Sequence, residues 1–178
     1  MSDLADLKRR VEEASGPDRE LDAAIMFDLF AKPVGKASDG GPVGYLWPED
    51  NPSWNFGLRF PGKDRAWFAR TRVRGDDEET LLIERDGALV LVNSLRVPRL
   101  TASLDATVAL IERVMPGFAR HVAYIPNIPT RKTDAEARLW LPAQQTRGWK
   151  KETFSGDGKT EPLALLAALL SACEGGAK

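Results

Sequence analysis

Apolar positions recur at helical spacing in three stretches of the chain and alternate with polar ones in several others. Leu4, Leu7 and Val11 stand three and four residues apart with charges between them, which predicts an amphipathic helix. Gly16-Pro17 breaks the pattern. A second helix follows, with Pro17 in its first turn and Asp18, Glu20 and Asp22 near its positive end. Leu21, Ala24, Ile25 and Leu29 form its stripe, and Pro33 and Gly35 end it. A third helix runs through Leu104, Val108, Ile111 and Val114, capped by Ser103 or Thr101 and ended at Met115-Pro116-Gly117. A last, apolar helix starts at Thr160, runs to Cys173 and closes at Gly175-Gly176.

Period-two alternation marks the strands. Over Ala66 to Arg74 it sets Trp67, Ala69, Thr71 and Val73 on one face and Phe68, Arg70, Arg72 and Arg74 on the other. Thr80 to Arg85 and Ala88 to Ser94 flank Asp86-Gly87. An Asp-Gly pair between β-prone runs predicts a hairpin, because both turn positions take positive φ. Together these runs predict an antiparallel meander of at least three strands. Phe118 to Ile125, Ala137 to Leu141 and Trp149 to Phe154 read as further strands, with a Pro-rich loop over 125–133. Between Ala37 and Pro61, seven Gly and Pro residues crowd around Tyr45, Trp47, Trp54, Phe56 and Phe60. A flexible linker carries few aromatic rings, so this is an ordered loop with one or two short strands, one of them from Phe56 to Phe60.

Composition narrows the function classes. The chain has 178 residues, 43% apolar and 29% charged, which is globular rather than disordered. Lys and Arg number 25 against 26 Asp and Glu, a net charge of −1 that disfavours a general polyanion binder. One histidine, His121, and one cysteine, Cys173, rule out a Cys/His zinc site and a disulfide within one chain. The longest apolar run, Leu163 to Leu170, falls short of the about 20 residues a membrane helix needs. The N-terminal segment lacks the apolar core of a signal peptide. A cytoplasmic protein is expected.

Four stretches carry a resemblance: GPDRELDAAI (Gly16–Ile25), LTASLDATVALIERVMPG (Leu100–Gly117), ARLWLPA with GWKKETF, and TEPLALLAALLSA (Thr160–Ala172). Together they resemble small phage and prophage proteins whose compact domain is of the phage ABA-sandwich type. The segment from Ala37 to Leu95 departs from that pattern. The resemblance brings no active residues. It implies a phage accessory protein, a class that includes inhibitors of bacterial immunity such as anti-CRISPR proteins.

Each candidate site has a bland counterpart. Arg70, Arg72 and Arg74, with Arg59 and Arg65 nearby and Phe68 and Trp54 as aromatic neighbours, could grip carboxylates or phosphates. The bland reading is a solvated face paired with Glu79 or Glu84. The basic stretch Arg120 to Lys151, with Trp140 and Trp149, could hold a single strand, but tryptophans at strand positions belong in a core. Asp76-Asp77-Glu78-Glu79 lacks the spacing of a cation loop and reads as a solvated turn. His121 has no nucleophile motif beside it, and the glycines match no phosphate-binding fingerprint.

The expectation is one α+β domain over 1–178: an antiparallel sheet with helices packed against it, and an aromatic loop and meander inserted at about 37–95. The expected function is non-enzymatic, without metal or cofactor. The partner is a host protein or complex, bound and blocked through the insertion, where grafted loops place binding. The alternative is an anion or nucleotide binder acting through the Arg70/Arg72/Arg74 face, and nucleic acid remains a further ligand class.

Overall fold

The computed structural model describes residues 4–47, 55–71, 80–94, 97–124, 134–142 and 153–176, with the side chains at 55–56, 69–71 and 80 left aside. The fold is α+β, with two antiparallel sheets. The chain forms two compact units: Asp22–Pro98, and Asp3–Leu21 together with Arg99–Lys178. The segment read as an insertion, 37–95, lies within the first.

Helix α1 (Leu4–Glu13) buries Leu7 and Val11, one turn apart, and links Arg9 to Asp6 and Glu13 on its exposed side. Helix α2 (Arg19–Phe30) starts where Asp18 Oδ1 accepts the Leu21 N–H at 2.9 Å. Pro17 thus precedes the cap, because Asp18 supplies the side-chain oxygen that the first turn needs. Leu21 and Ala23 to Phe27 are all buried, so α2 is covered on more than one side.

In the unit Asp22–Pro98, β1 (Lys32–Val34), β2 (Gly44–Leu46) and β3 (Asn55–Pro61) precede helix α3 (Arg65–Thr71). The hairpin β4 (Thr80–Arg85) and β5 (Ala88–Asn93) follows. The sheet order is β1-β2-β3-β5-β4. Asp86 (φ 49°) and Gly87 (φ 67°) close the hairpin in the left-handed region, as the Asp-Gly pair predicts. The expected strand from Ala66 to Arg74 is corrected: its backbone is helical through Thr71, and the rest lies outside the described residues. Asp64 explains the helix. Its Oδ1 accepts the Trp67 N–H at 2.6 Å, so a capped turn outcompetes the period-two pattern.

In the other unit, α4 (Leu104–Val114) is capped by Ser103, whose hydroxyl accepts the Ala106 N–H at 3.2 Å. The alternative cap, Thr101, is engaged elsewhere. Strands β6 (Ala119–Tyr124), β7 (Ala135–Trp140) and β8 (Thr153–Gly158) form a meander in that order. Of the expected strand Trp149–Phe154, residues 149–152 lie outside the described residues, and β8 runs on past Phe154 to Gly158. Helix α5 (Glu161–Glu174) packs on this sheet, and α1 and α4 pack on α5. Every residue from Leu163 to Leu170 is buried, the pattern of a helix enclosed on all sides. Ala135, Ala137 and Leu139 of β7 form the sheet's buried row.

Candidate binding surface

The register of the five-stranded sheet sorts its residues into two faces. One carries Tyr45, Gly57, Arg59, Val90, Val92, Ile83 and Arg85. Helix α2 covers it. Phe27 meets Tyr45 edge-on at 4.4 Å, and a Cβ at Gly57 would touch the same Phe27 ring. The opposite face carries a row of leucines, Leu58, Leu91 and Leu82, beside a second row of Phe60, Leu89 and Glu84. Leu89 is buried, Leu82 and Leu91 are half-buried, and Leu58 is 39% exposed.

Helix α3 reaches this second face through rings. Phe60 of β3 meets Phe68 edge-on at 5.0 Å and Trp67 at 6.2 Å. Trp67 and Phe68 meet each other edge-on at 5.0 Å. Edge-to-face rings at such spacing hold one another in place beyond the area they bury. Lys63 Nζ lies 4.7 Å from the Trp67 ring centroid, a cation–π contact. Arg65 donates from Nη2 to the Leu82 carbonyl at 3.2 Å, tying α3 to β4. Positions 61–66 are exposed and the three rings are half-buried. The result is a firm aromatic cluster with basic groups beside it.

The helix-covered face carries two arginines on the strands that flank β5. Arg85 forms an ion pair with Asp28 of α2, the two side chains 12% and 7% exposed, and lies 5.5 Å from the Phe27 ring. Arg59 pairs with Asp39 of the β1–β2 connection at 2.8 Å. The Arg59 guanidinium, with the Gly41 N–H, holds the Asp39 carboxyl below its ordinary value. Burial pushes the Tyr45 phenol up.

Of the residues singled out in the sequence, Arg65 and Phe68 come together on α3. The strand face uniting Phe68 with Arg70 does not form. In a helix positions two apart are separated by about 200°, and the Arg70 backbone is helical. Arg72, Arg74, Trp54 and the acidic run 76–79 lie outside the described residues. Trp67, assigned to the other face of the supposed strand, belongs to the cluster instead, and the capping Asp64 after Pro61-Gly62 is the signal that would have revealed this. Arg59, Arg85 and their partners were not legible as pairs, because the partners are remote in sequence. In the basic stretch, Arg120 pairs with Glu112 at 3.1 Å and Arg138 with Glu136 at 2.7 Å. His121 is exposed on β6 and Cys173 is buried on α5. Among the described residues no group of three or more His, Cys, Asp or Glu could hold a metal ion, and no helix is long and apolar enough to cross a membrane. Comparison with protein families, with curated proteins and with solved structures gives no match.

Proposed function

We propose that this chain is a non-enzymatic binding protein, a phage accessory protein that docks on a host defence protein and blocks it through the α3 side of the five-stranded sheet. The Phe60–Trp67–Phe68 cluster carries this reading. Protein interfaces are anchored by a few aromatic and arginine side chains already fixed in place before binding. Here three rings brace one another, Arg65 and Lys63 flank them, and Leu58 extends the apolar surface. No catalytic constellation is needed for such a role. Steric block of a partner requires only a rigid surface.

The test is capture from a lysate of bacteria carrying defence systems, with the wild type and Trp67→Ala or Arg65→Glu as baits. A true anchor costs roughly 2 kcal/mol or more on truncation, about thirtyfold in affinity. The defence protein held by the wild type should be lost from both variants, each of which should still unfold cooperatively. Equal capture by folded variants would remove α3 from the interface.

A further inference from the structure

We propose that Arg59 is the centre of an oxyanion site that the chain's own Asp39 carboxylate occupies at rest, and that a small phosphate or carboxylate ligand displaces it. Arg59 stands on the helix-covered face of β3, and its side chain is only 9% exposed. A guanidinium that far from water needs a negative partner and acceptors for its N–H groups. Asp39 supplies one contact, Oδ2 to Nη1 at 2.8 Å. Nε is buried and has no acceptor. An arginine fork holds an oxyanion best through two parallel bonds, and the single contact leaves buried donor capacity unused. A ligand offering two oxygens would take Nε together with Nη2, whose N–H bonds run parallel, where Asp39 takes Nη1 alone.

The resident carboxylate sits where it can leave. Asp39 is 37% exposed on the nine-residue connection 35–43 between β1 and β2. Its tip around Asp39 is closed by the Ala37 N–H to the Gly41 carbonyl at 2.7 Å and the Gly40 N–H to the Ala37 carbonyl at 3.0 Å, while its end is tied to the strands at Val43, which donates to the Val34 carbonyl at 3.0 Å and accepts the Arg59 N–H at 3.2 Å. The Gly41 N–H also donates to Asp39 Oδ1 at 3.1 Å. Gly35 and Gly40 take left-handed φ, which gives the connection its turns. Gly41 lies directly on the guanidinium. A Cβ there would come within 2.7 Å of Cζ and of Nη1, so a larger residue would push the guanidinium from its present place. Tyr45 belongs to the same face, paired with Gly57 one step along from Arg59, and brings a buried phenol to this corner. Asp86 and Arg59 act on that phenol in opposite senses.

Titration calorimetry with pyrophosphate and with succinate tests the proposal. Asp39→Asn removes the resident charge at an exposed position, and Asp39→Ser is a second variant to the same end. Either should bind one of the two probes at least tenfold more tightly than the wild type does. Preference for pyrophosphate assigns the site to phosphates, and preference for succinate assigns it to carboxylates. Arg59→Lys added to Asp39→Asn keeps the buried charge but loses the fork, and should cost tenfold or more of the gained affinity. If neither Asp39 variant binds either probe better than the wild type, or if the Arg59→Lys double variant binds as well as Asp39→Asn alone, the Asp39–Arg59 pair is a fastening of the connection and nothing more.

Discussion

Thr101 and Asp18 exchange two hydrogen bonds across 83 positions of sequence. The Thr101 hydroxyl accepts the Asp18 N–H at 2.8 Å and donates to the Asp18 carbonyl at 3.2 Å. Thr101 is 1% exposed, so its hydroxyl has little access to water and depends on these bonds. Thr101→Val keeps the shape and takes the hydroxyl partner from both the Asp18 N–H and the Asp18 carbonyl. It should lower stability by roughly 1–3 kcal/mol, whereas Thr101→Ser should retain most of it. Urea midpoints of the two variants decide this.

Gly156 on β8 faces the backbone of α5. A Cβ there would lie 2.6 Å from the Ala164 carbonyl oxygen, and one at Gly158 would lie 2.5 Å from the Ala164 nitrogen. Backbone cannot swing aside as a side chain can. Gly156→Ala should therefore force the helix off the sheet at a cost of roughly 1–3 kcal/mol. A melting temperature equal to the wild type would mean that α5 slides without penalty.

The hairpin turn makes a sharper demand. Gly87 has φ 67°, with open space where a Cβ would be, so the conformation is the sole obstacle to substitution. Gly87→Val should cost more than ~1 kcal/mol, and Gly87→Asn much less, because Asn tolerates the left-handed region. Thermal melts of the pair separate backbone strain from packing.

Asp28 and Arg85 illustrate the asymmetry of buried charge. Removing one partner strands the other, so Asp28→Ala should cost roughly 3–5 kcal/mol. Replacing both, as Asp28→Ala with Arg85→Met, should cost less than the single change. A double-mutant cycle in denaturant measures the coupling, and additive losses would show that the pair contributes nothing.

Asp39 offers a pH test. Its carboxyl is held below the ordinary value of 3.8, first by the Arg59 bond and then by the Gly41 N–H. A depressed folded value means that the contact stabilises the fold above the ordinary carboxylate range and is lost as pH falls through the depressed value. Carboxyl NMR should find Asp39 titrating below a solvent-exposed aspartate, and Arg59→Lys should move it back upward. No such movement would mean that the loop backbone alone sets it.

Local signals were legible where short-range chemistry decides the structure. Ser103, Asp86-Gly87 and the apolar run from Leu163 each announce a cap, a turn or a buried helix without help from distant residues. Helix α3 hides in the sequence because Ala66 to Arg74 satisfies a two-residue period by accident, while the deciding feature is one carboxylate, Asp64, ahead of the run. Strand β1 is three residues long and contains Pro33, so it carries no periodicity of its own and forms only because β2 lies beside it. The aromatic cluster mixes rings from β3 and α3, and linear spacing cannot anticipate which rings meet. The pairs Asp28–Arg85 and Asp39–Arg59 depend on register, which no local pattern encodes.

The place of α5 at the centre of its unit has a consequence for synthesis. Helix α1 rests on α5, yet most of the chain is translated between them. At ribosomal speed the interval is on the order of ten seconds. Until it ends α1 lacks the helix it packs on, while every strand of the five-stranded sheet is translated well before α5. The nascent chain can close its middle before its beginning, and a chain cut short ahead of Glu161 would hold all five strands of that sheet together with an α1 that has lost the helix it packs on.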